Sequence, residues 1–312
     1  KNSIGTIFTH PNDHPFDSDL VEVNEDGIIK NFFCTPRKKN HFFRNTVNAA
    51  LYILSYEIFN EIEVNNYSDF GKDVFPKIIE KHNLFSYSST EYIKDIGTPS
   101  RYKLVVEDLK KGKIKALNYK YKQKAIFLDR DGVINKEVDE LVKIEEFELI
   151  GGVEKAIKKI NKSNYISIIV TNQPMIAKGK MSFKELDKIH KKMDYQLGES
   201  GAYVDDIFYC PHHPEKGFKG EIKNLKINCN CRKPNNGMLI EASKKHNIDL
   251  SKSWIIGDSY SDISAGQKSA LKTILVKTGH AGRDKKKFKK VHSDYIFDDL
   301  SKAVNFILKN DN

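Results

Sequence analysis

The sequence predicts an α/β protein whose larger part is a parallel sheet covered by helices on both faces. Three observations predict it. Five short apolar runs, "KAIFL", "YISIIV", "DDIFY", "SWIIG" and "KTILV", recur from residue 124 onward. Helical stretches lie between them: in "SFKELDKIHKKMDYQL", Phe183, Leu186, Ile189, Met193 and Leu197 fall three or four residues apart on one apolar face. Strands and helices in alternation build a parallel sheet. Thirdly, the acidic and polar residues suited to chemistry stand just after these runs, and ligands of such sheets bind at the carboxyl ends of the strands.

Residues 1–118 read as a separate mixed α/β domain. "LVEVNEDGIIKNFF" places two apolar runs around Asp26-Gly27, a hairpin signal. "DFGKDVFPKIIEKHN" offers a helix interrupted at Pro76, and "SYSSTEYIKDIGTPSRY" a strand followed by a turn. The lysine-rich "EDLKKGKIKALNYKYKQK" bridges two units, with residues 119–123 as the linker and 124–312 as the second domain. "THPNDHPFDSD" contains His10, His14 and three Asp residues but reads as a solvated loop, since scattered His and Asp around proline are ordinary loop chemistry. In the second domain Ser182, with Glu185 three residues later, makes a capping box for the helix that follows.

Bulk composition narrows the function. No apolar run approaches the ~20 residues needed to span a bilayer and no signal peptide opens the chain, so the expected location is cytoplasmic and no membrane partner is expected. The net charge of +10 comes mostly from lysines spread along the chain. Nucleic acid is therefore not the expected partner, although a zinc-loop nucleic-acid-binding module is the alternative from another class. The chain begins with Lys rather than Met, and part of a longer product is expected to precede it.

The question that decides the function is why "FLDRDGVIN" ends an apolar run with Asp129 and Asp131 one residue apart. Like charges that close raise each other's pKa. A surface turn tolerates them; an active site for phosphoryl transfer can use them. A phosphate dianion repels a carboxylate nucleophile, so a cation such as Mg²⁺ has to bridge the two. Asp129 and Asp258 (in "GDSYSD", with Asp262 at the next helix start) can supply carboxylates, and Asp131 its main-chain carbonyl. Asp129 then attacks phosphorus to give an aspartyl-phosphate, and Asp131 serves as acid and later base. Thr171 and Asn172 in "VTNQP", and Lys233 in "CRKPNNGM", complete the catalytic set, with the Thr171 hydroxyl and Lys233 ammonium holding the phosphate oxygens.

"DRDGVIN", "TNQP", "RKP" and "GDSYSD", in this order, resemble the four motifs of the haloacid dehalogenase superfamily of phosphatases. The resemblance covers residues 124 to about 310 and implies a Rossmann-like fold, with Asp129 as nucleophile and Asp131 as acid/base. The interval between the first two motifs is too short for a separate cap domain, so loops select the substrate.

One such loop carries "CPHHP" and "CNCRKP", that is, C-x-H and C-x-C. Cys210, His212, Cys229 and Cys231 suit a closed tetrahedral structural Zn²⁺. His213 is the local rival to His212; a redox thiol pair or ordinary buried cysteines are the competing readings. Zinc loop and motifs together resemble the D-glycero-D-manno-heptose 1,7-bisphosphate 7-phosphatase and histidinol-phosphatase branch. That resemblance implies a small sugar phosphate substrate, with Arg232 meeting the second phosphate and Asn172 also contacting substrate; histidinol phosphate is the rival substrate. Relatives commonly have Ser-Gly where Pro174-Met175 stand here.

"RNTVNAALYIL" and "EYIKDIGTPSRY" resemble the second half of sugar-phosphate nucleotidyltransferases. The resemblance implies that Asn48-Ala49-Ala50 meets a sugar and that Asp95 binds Mg²⁺. Thr35-Pro36 stands where Lys-Pro is usual, and the Gly-rich nucleotide loop is absent from the sequence. The domain is therefore expected to be partial, with the missing N-terminal half as its partner.

Overall fold

The computed structural model describes residues 3–37 and 41–311. It divides into two compact units, Lys1–Thr90 with Asp194–Tyr203, and Glu91–Met193 with Val204–Asn312.

The first unit is a five-stranded sheet of order β3-β2-β4-β1-β5. Its strands are β1 (Ser3–His10), β2 (Leu20–Val23), β3 (Ile29–Phe33), β4 (Val47–Leu54) and β5 (Asn83–Ser88). The hairpin expected at Asp26-Gly27 joins β2 to β3, with Gly27 at φ 77°, the left-handed conformation that glycine adopts without steric cost. Alternate strand residues Ile4, Ile7, Val21, Ile29 and Leu84 pack on Phe75 and Ile78 of α1 (Phe75–Ile78). Pro76 sits in the first turn of α1, after a π-helical turn over Phe70–Val74. Helices tolerate proline there because that N–H has no partner within the helix.

The second unit begins with α2 (Pro99–Lys110) and α3 (Lys113–Ala116), so much of the lysine-rich stretch is helical. Neither helix buries a residue. The sheet then runs β6 (Lys124–Leu128), β7 (Tyr165–Asn172), β8 (Asp206–Cys210), β9 (Trp254–Gly257), β10 (Lys272–Val276) and β11 (Tyr295–Phe297), in the order β11-β10-β9-β6-β7-β8. Every pairing is parallel. All five apolar runs are strands; four are buried on both faces, as inner parallel strands are, while the edge strand β8 buries only Phe208 and Cys210. The three-residue β11 went unread because so short an edge strand carries no pattern.

The helices are α4 (Val153–Asn161), α5 (Phe183–Glu199), α6 (Gly237–Lys245), α7 (Tyr260–Gln267) and α8 (Leu300–Lys309). The chain steps outward from β6 through β7 to β8, then returns to β9 on the other side of β6. Right-handed crossovers therefore put α4 and α5 on one face and α6 and α7 on the other. Met238, Leu239 and Ala242 of α6 and Ala265 of α7 share one core cluster with Ala125, Phe127, Ile168 and Ile255. Along α5, Leu186, Ile189, Met193 and Leu197 are buried while Phe183, at its start, is exposed. Glu185 and Ser182 form the expected box: each main-chain N–H donates to the other's side chain, at 3.2 and 2.6 Å.

This reversal of direction sets the site. β6 and β9 are neighbours, Leu128 opposite Ile256, so Asp129 and Asp258 leave adjacent strands at the topological switch point.

Candidate active site

Asp129 follows the last residue of β6, and its N–H extends the ladder to the Ile256 carbonyl (3.0 Å). Its carboxylate meets two others. Oxygens of Asp129, Asp258 and Asp262 all lie within 4.8 Å of one another, and Asp258 and Asp262 are fully buried. Lys233 Nζ lies between two of them, 2.9 Å from Asp129 Oδ2 and 2.5 Å from Asp262 Oδ1, and it also donates to the Val170 carbonyl (2.8 Å). Three clustered carboxylates, two buried and one half-buried, thus face one ammonium that pairs with two of them. Burial, with Asp262 and Asp131 adding to it against the pull of Lys233, pushes the Asp129 carboxyl up to about 7. Burial, then Asp129 and Asp262, push Asp258 up to about 9. Burial alone would lower the Lys233 pKa, but Asp129 and Asp262 outweigh it and hold the ammonium above its usual range. Such a surplus of buried negative charge calls for a cation.

Two glycines make room for Asp258. Gly132 (φ 76°) and Gly279 (φ 59°) lie against its carboxylate, and a Cβ on either would overlap Asp258 Oδ2. The His280 N–H donates to the same oxygen at 2.5 Å. Beyond it Glu137 and His280 form with Asp258 another close group. The adjoining open pocket is lined by Lys136, Glu137, Asp139, Thr278, His280 and Arg283.

The Asp131 side chain is held apart from the trio. Arg130, wholly buried, grips it through Nη2 at 2.9 Å to each oxygen and through Nε at 3.2 Å. Asn135 donates to Oδ1 (2.9 Å) and Gln173 to Oδ2 (2.8 Å). Burial would raise this carboxyl, but Arg130, Asn135 and Gln173 together keep it below its usual range. Gln173 also donates to Thr171 Oγ1 (2.9 Å), tying the two expected residues together. Asn172 brackets the Lys233 main chain, donating to its carbonyl (3.1 Å) and accepting from its N–H (3.0 Å). Arg130, Asn135, Gln173 and the buried role of Asp262 were missed in the sequence. Arg130 and Gln173 sit inside the quoted motifs, and a cation between two acids was the available signal.

Cys210, His212, Cys229 and Cys231 converge as expected. The Sγ–Sγ separations are 3.1, 3.2 and 3.5 Å, and His212 Nδ1 lies 3.3 and 3.6 Å from Cys231 and Cys210. A tetrahedral zinc with bonds of about 2.3 Å to sulfur would set sulfur–sulfur edges of about 3.8 Å, so the thiols need spread only slightly to take a cation, while all three separations are too long for a disulfide. Burial and the other thiols push the Cys210 thiol up, the cost of packing thiols together without a metal. His213 turns away from the cluster, with Nδ1 facing the Glu215 carbonyl (3.4 Å) and its ring edge-on to Phe218. Arg232 donates to the His212 carbonyl at 3.3 Å, so the loop that carries the Cys/His cluster orients it.

Elsewhere, Asn48 accepts from the Ala50 N–H (3.1 Å), and Ala50 has φ 55°. Asp95 accepts from Gly97 N (2.7 Å) and pairs with Arg101. Thr35-Pro36 is held through Asp19, which accepts from the Thr35 N–H (2.8 Å). His14 pairs with Asp13 within its loop. No helix of the described residues is long and apolar enough to cross a membrane.

Residues 230–303 match the HAD-hydrolase-like family and residues 1–112 the nucleotidyl transferase family. The D-glycero-alpha-D-manno-heptose-1,7-bisphosphate 7-phosphatase of Photorhabdus laumondii is 45% identical over 160 residues, 51% of this chain and 85% of that protein. The chain belongs to the heptose-1,7-bisphosphate 7-phosphatase family. A second member of the family, the D-glycero-beta-D-manno-heptose-1,7-bisphosphate 7-phosphatase of Pasteurella multocida, is 37% identical over 188 residues, 60% of this chain and 92% of that protein. The solved D,D-heptose 1,7-bisphosphate phosphatase of B. bronchiseptica, complexed with magnesium and phosphate, superposes with a TM-score of 0.53 at 31% identity, covering 60% of this chain and 99% of that one.

Proposed function

We propose that residues 124–312 hydrolyse the C7 phosphate of D-glycero-D-manno-heptose 1,7-bisphosphate, in the supply of nucleotide-activated heptose. The observation that carries this reading is the cluster of Asp129, Asp258 and Asp262 at the switch point, with Lys233 paired to Asp129 and Asp262. The family of the chain supports the substrate.

Asp129 is the nucleophile. The Asp258 and Asp129 carboxylates and the Asp131 carbonyl are the groups that would hold Mg²⁺, which when bound offsets the charge of phosphate and carboxylates. One Asp129 oxygen bonds to phosphorus as the bond from phosphorus to O7 breaks, and the electron pair leaves on O7. Asp131 gives that oxygen its proton. Water then attacks phosphorus, Asp131 takes a proton from it, and the bond from phosphorus to Asp129 breaks to free the carboxylate and inorganic phosphate. Arg130, Asn135 and Gln173 favour ionised Asp131 in the resting protein, which suits the base step. The acid step needs Asp131 to take up a proton as the phosphate dianion arrives. Lys233 and the Thr171 hydroxyl hold equatorial oxygens, while Asn172 positions Lys233 from behind.

The Cys210, His212, Cys229, Cys231 set would hold a structural Zn²⁺, fixing the loop that carries Arg232 toward the second phosphate. Free thiols and a thiolate metal site suit a reducing compartment, and we assign the protein to the cytoplasm. A phosphate-release screen over sugar bisphosphates, histidinol phosphate and nucleotides tests the reading. Preference for the heptose bisphosphate supports it, and faster release from histidinol phosphate moves the chain to the rival activity.

A further inference from the structure

We propose that the segment Arg283–Lys290 is an electrostatic capture surface that draws doubly phosphorylated substrate into the active site, an inference that rests on the phosphatase reading above. The segment reads "RDKKKFKK". Arg283, Lys286, Lys287, Lys289 and Lys290 are all exposed. Its one acid does not offset them. Asp284 turns inward and accepts from the N–H groups of Tyr260 (2.8 Å) and Ser261 (3.2 Å) at the start of α7. Downstream, Asp294 is likewise spent on Thr273, accepting from its N–H (2.7 Å) and hydroxyl (2.8 Å). The outward face of the segment therefore carries positive charge alone.

The segment is anchored beside the chemistry. Tyr260 and Ser261 follow Asp258 by two and three residues, the Gly282 N–H donates to the Asp258 carbonyl (2.8 Å), and the Lys285 ammonium sits 4.1 Å from the Tyr260 ring centroid. Arg283 and His280 line the pocket that opens beside Asp258. Cations thus run from the pocket wall outward to Lys290. Inside the pocket the acids Glu137 and Asp139 stand against the cations Lys136 and Arg283, so the attraction acts on approach more than on the bound ligand. A potential of this kind raises encounter rate and local concentration in proportion to ligand charge and fades with salt. A bisphosphate carries twice the charge of a monophosphate and gains accordingly.

The test compares wild type with a variant combining Lys286→Gln, Lys287→Gln, Lys289→Gln and Lys290→Gln. A control removes the same charge from exposed lysines elsewhere, Lys110→Gln, Lys111→Gln, Lys120→Gln and Lys122→Gln. Phosphate release from heptose 1,7-bisphosphate and from a hexose 6-phosphate is followed between about 20 and 200 mM salt. In the first variant kcat should hold while kcat/KM for the bisphosphate falls about tenfold at low salt, less for the monophosphate, with a flattened salt dependence. The control should behave as wild type. Unchanged kcat/KM in the first variant, or an equal fall in the control, overturns the proposal; so does segment-dependent binding of random-sequence DNA with unaltered kinetics. A wild-type protein that releases phosphate from no sugar ester overturns the phosphatase reading and this proposal with it.

Discussion

The Lys233 ammonium lies 2.9 Å from the Asp129 carboxylate while holding Asp262 at 2.5 Å. Lys233 therefore keeps a buried ionic partner when Asp129 is changed. Asp129→Asn should cut turnover by at least about a thousandfold, the scale on which removal of a covalent nucleophile reads, and should leave the melting temperature near wild type. Steady-state rates beside thermal melts check this. A variant retaining a tenth of the activity would remove Asp129 from the nucleophile's role.

Gly279 is the backbone complement of Asp258. Gly279→Ala adds a methyl that overlaps Asp258 Oδ2 at a residue whose φ is 59°. Strain of this kind costs on the order of 1–3 kcal/mol, and the displaced carboxylate should weaken Mg²⁺ activation. A magnesium titration of activity should show a higher half-saturating concentration. Wild-type magnesium dependence would mean that Asp258 is not a metal-holding group.

Cys229→Ser should remove zinc and lower stability more than it lowers kcat, because structural zinc contributes folding energy directly. Elemental analysis of the purified wild type should find about one zinc per chain. A metal-free protein with freely reactive thiols would contradict the assignment of the cluster.

Asp205 supplies a pH test away from the reacting groups. Its buried carboxyl is pushed up to about 6, against the opposing bonds from Ser167. The folded state thus keeps this proton up to about pH 6, whereas an unfolded chain loses it near 3.9. The folded state binds more protons in that window, so this group makes stability fall as pH rises from about 4 to 6 and leaves it lower above. Asp205→Asn keeps an acceptor for Ser167 and should flatten that slope, by on the order of 2 kcal/mol across the window. Denaturant melts at several pH values measure it; an unchanged slope would show that Asp205 ionises normally.

Much of this was legible in the sequence because parallel strands are buried on both faces and read as unbroken apolar runs. "KAIFL" and "YISIIV" needed no context to be strands. The acids stood out because they interrupt such runs, and the zinc ligands because cysteine is rare in this chain. The partners of Asp131 were not legible. Arg130 stands between two acids in the sequence, yet nothing there shows that it is wholly buried and bonded to one of them. Nothing in local spacing brings Gln173, just after β7, to the Asp131 carboxylate; only the pairing of β6 with β7 does. The π-helical turn before Pro76 and the short β11 depend on tertiary contacts in the same way.

Phosphorus NMR of the products from D-glycero-D-manno-heptose 1,7-bisphosphate tests the central claim most directly. The account predicts that the C7 phosphate resonance is replaced by inorganic phosphate while the C1 phosphate resonance persists, with no such change in Asp129→Asn. Loss of the C1 phosphate, or a spectrum unchanged by the wild-type protein in the presence of magnesium, would contradict it.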